Sequence, residues 1–403
     1  MNRSEQVMLS RKAQAINPSP TMTIDSKAKE MKSQGIDVIG FGAGEPDFDT
    51  PAHIREAATK AMNEGHTRYT PAAGTPEVKE TICKKLKTDN GLEYKSNQVV
   101  VSNGAKHALF NALAAILDPA DEVLIPAPYW VSYPELVKIC DGIPVIVETS
   151  EVNKLKTTAE ELEKYCSDKT KALILNSPHN PTGQVYNEEE LRAIAELCRE
   201  KGVYVIADEI YEKLIYNQAR HVSIAGFNEE IKDLTILVNG VSKSYAMTGW
   251  RIGYTVSTPE IAGAIAALQS HTSSNPNSIA QKAAVAAMQG DQSCVSEMHR
   301  TFDERRRYMY ERITAIPCLD ALEPEGTFYL FVNVANTFRK SFRGEEISTS
   351  DSFAQFLLES RKVALVPGTG FGAPDYVRLS FATSMENIEE GINRIEAFTG
   401  DLR

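Results

Sequence analysis

The chain is short of paired cysteines, long apolar runs and positive charge. Its six cysteines, at 83, 140, 166, 198, 294 and 318, contain no Cys-x-x-Cys pair. That scatter supports neither a zinc site nor a disulfide framework and suits reduced thiols. No apolar stretch approaches the ~18–20 residues of a membrane span. The opening MNRSEQVMLSRKAQAINPSP has no apolar centre of the kind a secretion signal needs. The expectation is a cytoplasmic protein with no membrane partner. Lys and Arg number 43 against 54 Asp and Glu, a net charge of −11, which argues against nucleic acid as a partner. Neither a Walker loop nor GxGxxG is present, so nothing points to a nucleotide-phosphate binder. An acidic protein that handles anions must gather its cations locally, and each Lys or Arg near a candidate loop carries weight.

With 403 residues, 42% hydrophobic and 24% charged, the chain is long enough for one large and one small unit. From about residue 95 to 260, short apolar runs at 98–101, 122–125, 145–147, 172–175, 203–207 and 235–238 alternate with helix-like stretches such as 105–117, 130–140 and 188–201. That alternation predicts an α/β fold with a mainly parallel sheet and right-handed crossovers. Ligands bind beyond the carboxyl ends of such strands. Gly104, Trp130, Asn180, Asp208 and Lys243 each follow one of these runs, so five loops should converge on one rim. A second, α+β unit is expected from both chain ends, residues 1–48 and 286–403, around a large unit at 49–285. Its parts would be an arm, a helix near 25–34, a strand at 36–41 and a long helix from roughly 286 to 315. Strands at 327–334, 363–366 and 377–381 and a final helix at 385–398 complete it.

The segment Ser242-Lys243-Ser244-Tyr245-Ala246-Met247-Thr248-Gly249-Trp250-Arg251 is the most informative. A desolvated lysine becomes a usable amine, able to form a Schiff base with a carbonyl. Small neighbours leave room for a flat ring, and Arg251 suits a phosphate. Asp208 ends a strand run, where a carboxylate needs a cation or a donor, such as a pyridinium nitrogen. Tyr211 shares a helical face with Asp208 and could donate to a ring oxygen, as could Asn180. Ser102-Asn103-Gly104-Ala105-Lys106 joins a strand to a helix start, whose free N–H groups favour an anion. Trp130 follows a Pro-rich loop that could hold its indole flat against a ring. Each signal has an ordinary structural alternative, a turn-forming Asn or a core Trp, and the weight lies in their company.

Taken together, SNGAKHALF, PAPYWVSYPE, NSPHNPTG, ADEIYEKL, SKSYAMTGWRIGY and VRLSFATS resemble the class I aminotransferases of PLP fold type I, and most closely the bacterial aspartate aminotransferases of subgroup Ib. The resemblance runs from about Leu9 to the C-terminus with the motifs in order. It implies pyridoxal 5′-phosphate held as a Schiff base at Lys243, with Asp208 at the pyridinium and Tyr211 and Asn180 at the phenolic oxygen. Trp130 resembles the stacking residue, and with Asn180 would also flank the substrate. Gly104, the backbone of Ala105 and Lys106, Ser242 and Arg251 would hold the phosphate. Tyr69 resembles the tyrosine that reaches the phosphate of a neighbouring subunit, so a homodimer with shared active sites is implied. No metal is implied. Arg378 resembles the arginine that binds the substrate α-carboxylate, and Gly44 the glycine whose backbone meets the substrate. The animal-type enzymes take an arginine for the second carboxylate from a segment equivalent to 268–280, which here has no Arg or Lys. Lys106, paired with Thr21, resembles the group used instead.

The implied activity is ping-pong transfer of the amino group of L-aspartate to 2-oxoglutarate, giving oxaloacetate and L-glutamate. Lys243 would act as general base, and the terminal unit would close over small amino and 2-oxo acids. The alternatives on this scaffold are aromatic or prephenate (arogenate-forming) amination, β-lyase or decarboxylase chemistry. A ligand-sensing regulator would carry a helix-turn-helix domain ahead of this fold, and about forty residues precede Gly44.

Overall fold

Short polar side chains write the helix starts by accepting otherwise unpaired N–H groups. Thr75 caps Pro76–Asn90, Thr258 caps Pro259–Thr272, and both helices have proline in the first turn. Asn187 and Glu190 cap each other at the start of Glu188–Lys201, which Gly202 ends in the left-handed region. In a computed structural model of the chain, which describes residues 9–17 and 20–403 and no side chain at 20–23 or 25, these helices flank a seven-stranded sheet. Its strands lie in the order Val99–Ser102, Gly253–Val256, Thr235–Gly240, Tyr204–Asp208, Thr170–Asn176, Glu122–Pro126, Ile143–Val147. Gly253–Val256 runs antiparallel to both neighbours, and every other pairing is parallel. The central strands are buried on both faces, which is why their sequences read as unbroken apolar runs.

The antiparallel strand 253–256 lies outside the expected set. It is four residues long and starts in the loop that carries Arg251, so it gives no run long enough to read. The helix expected over roughly 286–315 is two helices, Ser278–Gln289 and Ser293–Thr314. Between them, Asp291 accepts from the Ser293 N–H at 3.1 Å and from its hydroxyl, which breaks the helix. Ser278–Gln289 packs on Ala52–Asn63 and shares a core with the large sheet. Ser293–Thr314 changes allegiance along its length. Val295 joins the large-sheet core, whereas Met298, Phe302 and Met309 join a second core with Phe41, Phe328, Phe381 and Phe398.

That second core lies against an antiparallel sheet in the order Val366–Pro367, Tyr376–Ser380, Tyr329–Asn333, Asp320–Ala321. Ile39–Gly40 pairs in parallel with Val363–Ala364, so the two chain ends meet in one α+β unit. The helix expected near 25–34 spans Pro20–Ser33, and Met385–Gly400 closes the chain. Among the described residues no helix is long and apolar enough to cross a membrane.

Candidate active site

The carboxyl ends of the parallel strands and the second unit enclose a cavity of about 620 Å³. Lys243 follows Thr235–Gly240 and lines it. Its Nζ donates to the Gly44 carbonyl at 2.5 Å and lies 5.8 Å and 5.7 Å from the ring centres of Tyr211 and Phe328. Burial, helped by Arg378 and Arg251 and opposed by Glu45, brings the ammonium down to about 8. A lysine so placed is partly a free amine near neutral pH, the form that attacks carbonyls and takes protons.

Asp208 closes Tyr204–Asp208 and is buried at the cavity floor. Its carboxylate accepts from the Tyr133 hydroxyl at 2.8 Å and the Ile210 N–H at 3.3 Å. Burial outweighs these donors and raises it to about 6. The Tyr133 ring stands edge-on to Trp130 with centres 5.4 Å apart. Tyr211 shares a hydrogen bond with the Tyr329 hydroxyl at 3.1 Å, and burial holds its phenol well above the usual value. Asn176 ties two loops together: its side chain donates to the Asp208 carbonyl and accepts from the Asn180 N–H, both at 2.8 Å.

At one end of the cavity the helix Ala105–Ile116 begins without a side-chain cap, leaving its first N–H groups for an anion. Gly104 before it has φ +87°, and a Cβ there would meet the Arg251 guanidinium at 2.4 Å. A Cβ at Gly253 would meet the Ala105 nitrogen at 2.3 Å, so two glycines let strand, helix start and arginine close on one point. Arg251 donates to the carbonyls of Thr248 and Asn103 at 2.9 and 3.3 Å, and Ser242 lies buried on the same wall. These groups could hold a phosphate, with the buried carboxylate of Asp208 left to face a basic ring nitrogen.

Arg378, on Tyr376–Ser380, is 2% exposed. It donates to Asn180 Oδ1 at 3.0 Å and to the Gly42 carbonyl at 3.1 Å, and lies 4.1 Å from the Tyr329 ring centre. Its Nε has no partner, and among the described residues no carboxylate pairs with it. Arg306 is equally buried but meets the carboxylates of both Asp303 and Glu323. A buried guanidinium held by carbonyls alone is a receptor for a carboxylate. Lys106 Nζ sits 4.9 Å from the Trp130 ring centre, and burial followed by the Arg251 charge lowers its pKa.

The cavity therefore brings together Gly44, Ala105, Lys106, Trp130, Asn180, Asp208, Tyr211, Ser242, Lys243, Arg251 and Arg378. Gly104 lies directly behind them against Arg251. Tyr69 is elsewhere and is 91% exposed. Thr21 falls in Pro20–Ser33, but its side chain is outside the described residues. Tyr133, Tyr329, Asn176, Glu45, Thr248 and Lys29 also line the cavity, and sequence reasoning missed them. Tyr133 had a readable signal, one helical turn past Trp130. Tyr329 had none, being 118 residues from the tyrosine it touches. Of the seven charged side chains in the lining, five are cationic (Lys29, Lys106, Lys243, Arg251, Arg378) and two acidic (Glu45, Asp208), in a chain of net charge −11.

The sequence pattern of the family described as aminotransferase class I and II matches residues 36–395. The aspartate aminotransferase of Geobacillus stearothermophilus is 51% identical over 390 residues, covering 97% of this chain and 98% of that one. The aspartate/prephenate aminotransferase of Nitrosomonas europaea is 44% identical over 390 residues, covering 96% of this chain and 98% of its own. The solved structure of Thermus thermophilus aspartate aminotransferase with maleate has TM-score 0.92 and 40% identity, covering 98% of this chain and 100% of that one.

Proposed function

The chain belongs to the class I and II aminotransferases, which are pyridoxal-phosphate-dependent transaminases, and from that premise we propose that it transfers the amino group of L-aspartate to 2-oxoglutarate, giving oxaloacetate and L-glutamate. The observation that carries the substrate assignment is Arg378, a buried fork with an unpartnered donor and no carboxylate, in one cavity with the cation of Lys106. Two cations in one cavity suit a dicarboxylate, and maleate, named with the Thermus structure, is one.

Pyridoxal 5′-phosphate, when bound, supplies an aldehyde carbon for an amine and a ring that accepts electrons. Lys243 takes the proton from the substrate α-carbon and returns it on the other side of the reaction, a role suited to an amine near 8. Asp208, ionised above about 6, holds a proton at the ring nitrogen, and Tyr133 keeps its carboxylate aimed. Tyr211 and Asn180 would donate to the ring's phenolic oxygen, and Trp130 would pack against the ring. The Ala105 and Lys106 N–H groups, Ser242 and Arg251 bind the phosphate, with Gly104 giving the room. Arg378 binds the α-carboxylate, Gly44 offers its backbone, and Lys106 meets the distal carboxylate. The smaller unit, formed by residues 20–48 and the chain beyond Val295, closes on the large-sheet unit and excludes water.

A homodimer belongs to this reading. Tyr69, an aromatic ring almost wholly in solvent on one chain, would be covered by a second copy and reach its phosphate. The cytoplasm is the location we infer, from the reduced cysteines and the acidic composition.

Aspartate/prephenate breadth is the second reading. It is favoured by Lys106, a flexible point charge that recognises a carboxylate less sharply than a fork, and by the name of the Nitrosomonas relative. Steady-state rates with aspartate, phenylalanine and arogenate, on wild type and Lys106→Ala, test both. The expected result is a tenfold or greater loss in kcat/KM for aspartate, about the contribution of one charged hydrogen bond, with phenylalanine spared. Undiminished aspartate use would refute the distal-carboxylate role.

A further inference from the structure

Beyond the cavity lining, the turn that follows Asp208 carries a second buried polar cluster. Asp208, Ile210 and Tyr211 line the cavity, whereas Glu209 and Glu212 do not. Both glutamates are anchored elsewhere. Glu209 Oε2 lies 3.0 Å from His221 Nε2, with only 4% and 8% of the two side chains exposed. Glu212 forms an ion pair with Lys85 of the helix Pro76–Asn90, and these side chains are 6% and 7% exposed. Asn90 completes that pair, donating to Glu212 at 2.9 Å and accepting from Lys85 at 2.8 Å. Lys213 and Asp89 pair beside it at 2.6 Å. The turn itself is short, with the Glu212 N–H bonded to the Glu209 carbonyl at 3.0 Å.

Glu209, Glu212 and His221 have the spacing of a metal site. The Lys85 ammonium already sits on Glu212, however, and one more positive charge balances Glu209. His221 faces Glu209 and is the group that can carry it. Burial alone would lower the imidazole pKa, and the Glu209 and Glu212 carboxylates more than reverse this. With Lys85 on Glu212 and His221 on Glu209, both carboxylates are already engaged. A buried ion pair is strongly harmful to break one-sidedly, because the surviving charge is left without a partner.

We propose that His221 and Lys85 are positioning residues of the coenzyme site: by pinning Glu209 and Glu212 they fix the turn that presents Asp208 and Tyr211 to the cavity. The cluster also controls charge. Glu209 adjoins Asp208 and its negative charge favours protonation of Asp208, so a proton carried on His221 helps keep Asp208 available as a carboxylate. This inference rests on the coenzyme reading given above.

The test compares wild type with His221→Gln, Glu209→Gln/His221→Gln, Lys85→Met and Lys85→Met/Glu212→Gln. Apoenzyme is titrated with pyridoxal 5′-phosphate, the pH midpoint of the coenzyme's absorption change is recorded, and kcat and KM are measured separately. Each single variant is expected to weaken coenzyme binding about 10- to 100-fold, the range found when a group supporting a ligand is removed. Each should also move the absorption midpoint upward, because a positive charge is lost, and lower kcat while leaving KM for aspartate unchanged. Each double variant, in which the stranded glutamate is neutralised, should return to within about threefold of wild type. The two arms are independent, so failure of one single variant to fold leaves the other decisive. Wild-type coenzyme affinity and an unmoved midpoint in a folded single variant overturn the inference, as does a double variant no better than its parent. A wild-type protein that takes up no coenzyme would instead overturn the coenzyme reading.

Discussion

Replacing Arg378 by lysine isolates the value of a fork from the value of a charge. The guanidinium uses two nitrogens on the Asn180 and Gly42 oxygens, at 3.0 and 3.1 Å, and is held flat against Tyr329 at 4.1 Å. Lysine keeps the positive charge but presents a single point, so a substrate carboxylate that could accept two parallel N–H bonds accepts one. A hydrogen bond to a charged group contributes about 1.5–3 kcal/mol. The kcat/KM for aspartate should therefore fall roughly 10- to 150-fold, at about 1.4 kcal/mol per factor of ten. The control is an amine donor without an α-carboxylate, such as a simple alkylamine, followed in a single half-reaction. It reacts slowly with wild type and should react equally slowly with Arg378→Lys, because the changed group has nothing to bind. The two changes, arginine removed from the protein and carboxylate removed from the donor, should thus be strongly non-additive. Equal losses for both donors would show that the substitution had disturbed the cavity generally. No loss for aspartate would show that Arg378 does not meet the α-carboxylate.

In coenzyme-free protein, Asp208→Asn should raise stability at pH 7 by about 3 kcal/mol while abolishing transamination. The carboxyl rises to about 6 on folding from an ordinary ~3.9, so the native state holds the proton longer and stability declines as pH climbs from about 4 to 6. Denaturant titrations of both proteins should differ at pH 7 and converge below pH 4; a gap that persists there would refute the argument. Lys243, lowered to about 8 mainly by burial, should make apoenzyme capture of pyridoxal 5′-phosphate speed up with pH, reach half its limit near pH 8 and level off about one unit above that. A rate still climbing at pH 10 would mean an ordinary lysine. Mixing Tyr69→Ala chains with Lys243→Ala chains should restore activity above either parent, since a hybrid dimer keeps one complete site. No recovery after subunit exchange would remove Tyr69 from the partner's site.

The strand ends were readable because a parallel sheet imposes a simple relation between pattern and place. Runs buried on both faces are apolar throughout, so the first polar residue after each one marks the rim. Asp208 is such a residue, whereas Asn180 and Lys243 each lie five positions beyond the ends of their runs, at 175 and 238, in the loops those ends feed. The break at Gly290-Asp291-Gln292 escaped notice because the local bonds of Asp291 to Ser293 stop a helix without changing the spacing of apolar residues on either side. Tyr133 was hidden in a different sense. It lay inside a motif already singled out, but its contact with Asp208 spans 75 residues and exists only after the sheet has formed. The partners of Glu209 and Glu212 were equally invisible, since His221 and Lys85 come from a loop and a helix far apart in the chain.

The treatment of buried charge separates the two kinds of arginine in this protein. Arg306 has two carboxylates and is finished as a structural element. Arg378 has carbonyl oxygens. A carbonyl satisfies the direction of an N–H without cancelling the charge, so the fork is held in place while its attraction for an anion survives. Buried unpaired cations destabilise a fold, and in a chain with 54 acidic residues an acidic partner would have been easy to supply. That Arg378 lacks one among the described residues is explained if the missing anion arrives with the ligand, as a carboxylate. Anion binding there should then be tighter than at a neutral site, because it relieves a charge that folding left in low dielectric, and it stabilises the protein accordingly. The melting temperature of the coenzyme-loaded protein should rise further on adding maleate in wild type. The same addition to Arg378→Lys should give a distinctly smaller rise, and an equal rise in both would show that the cavity arginine carries no unmet charge.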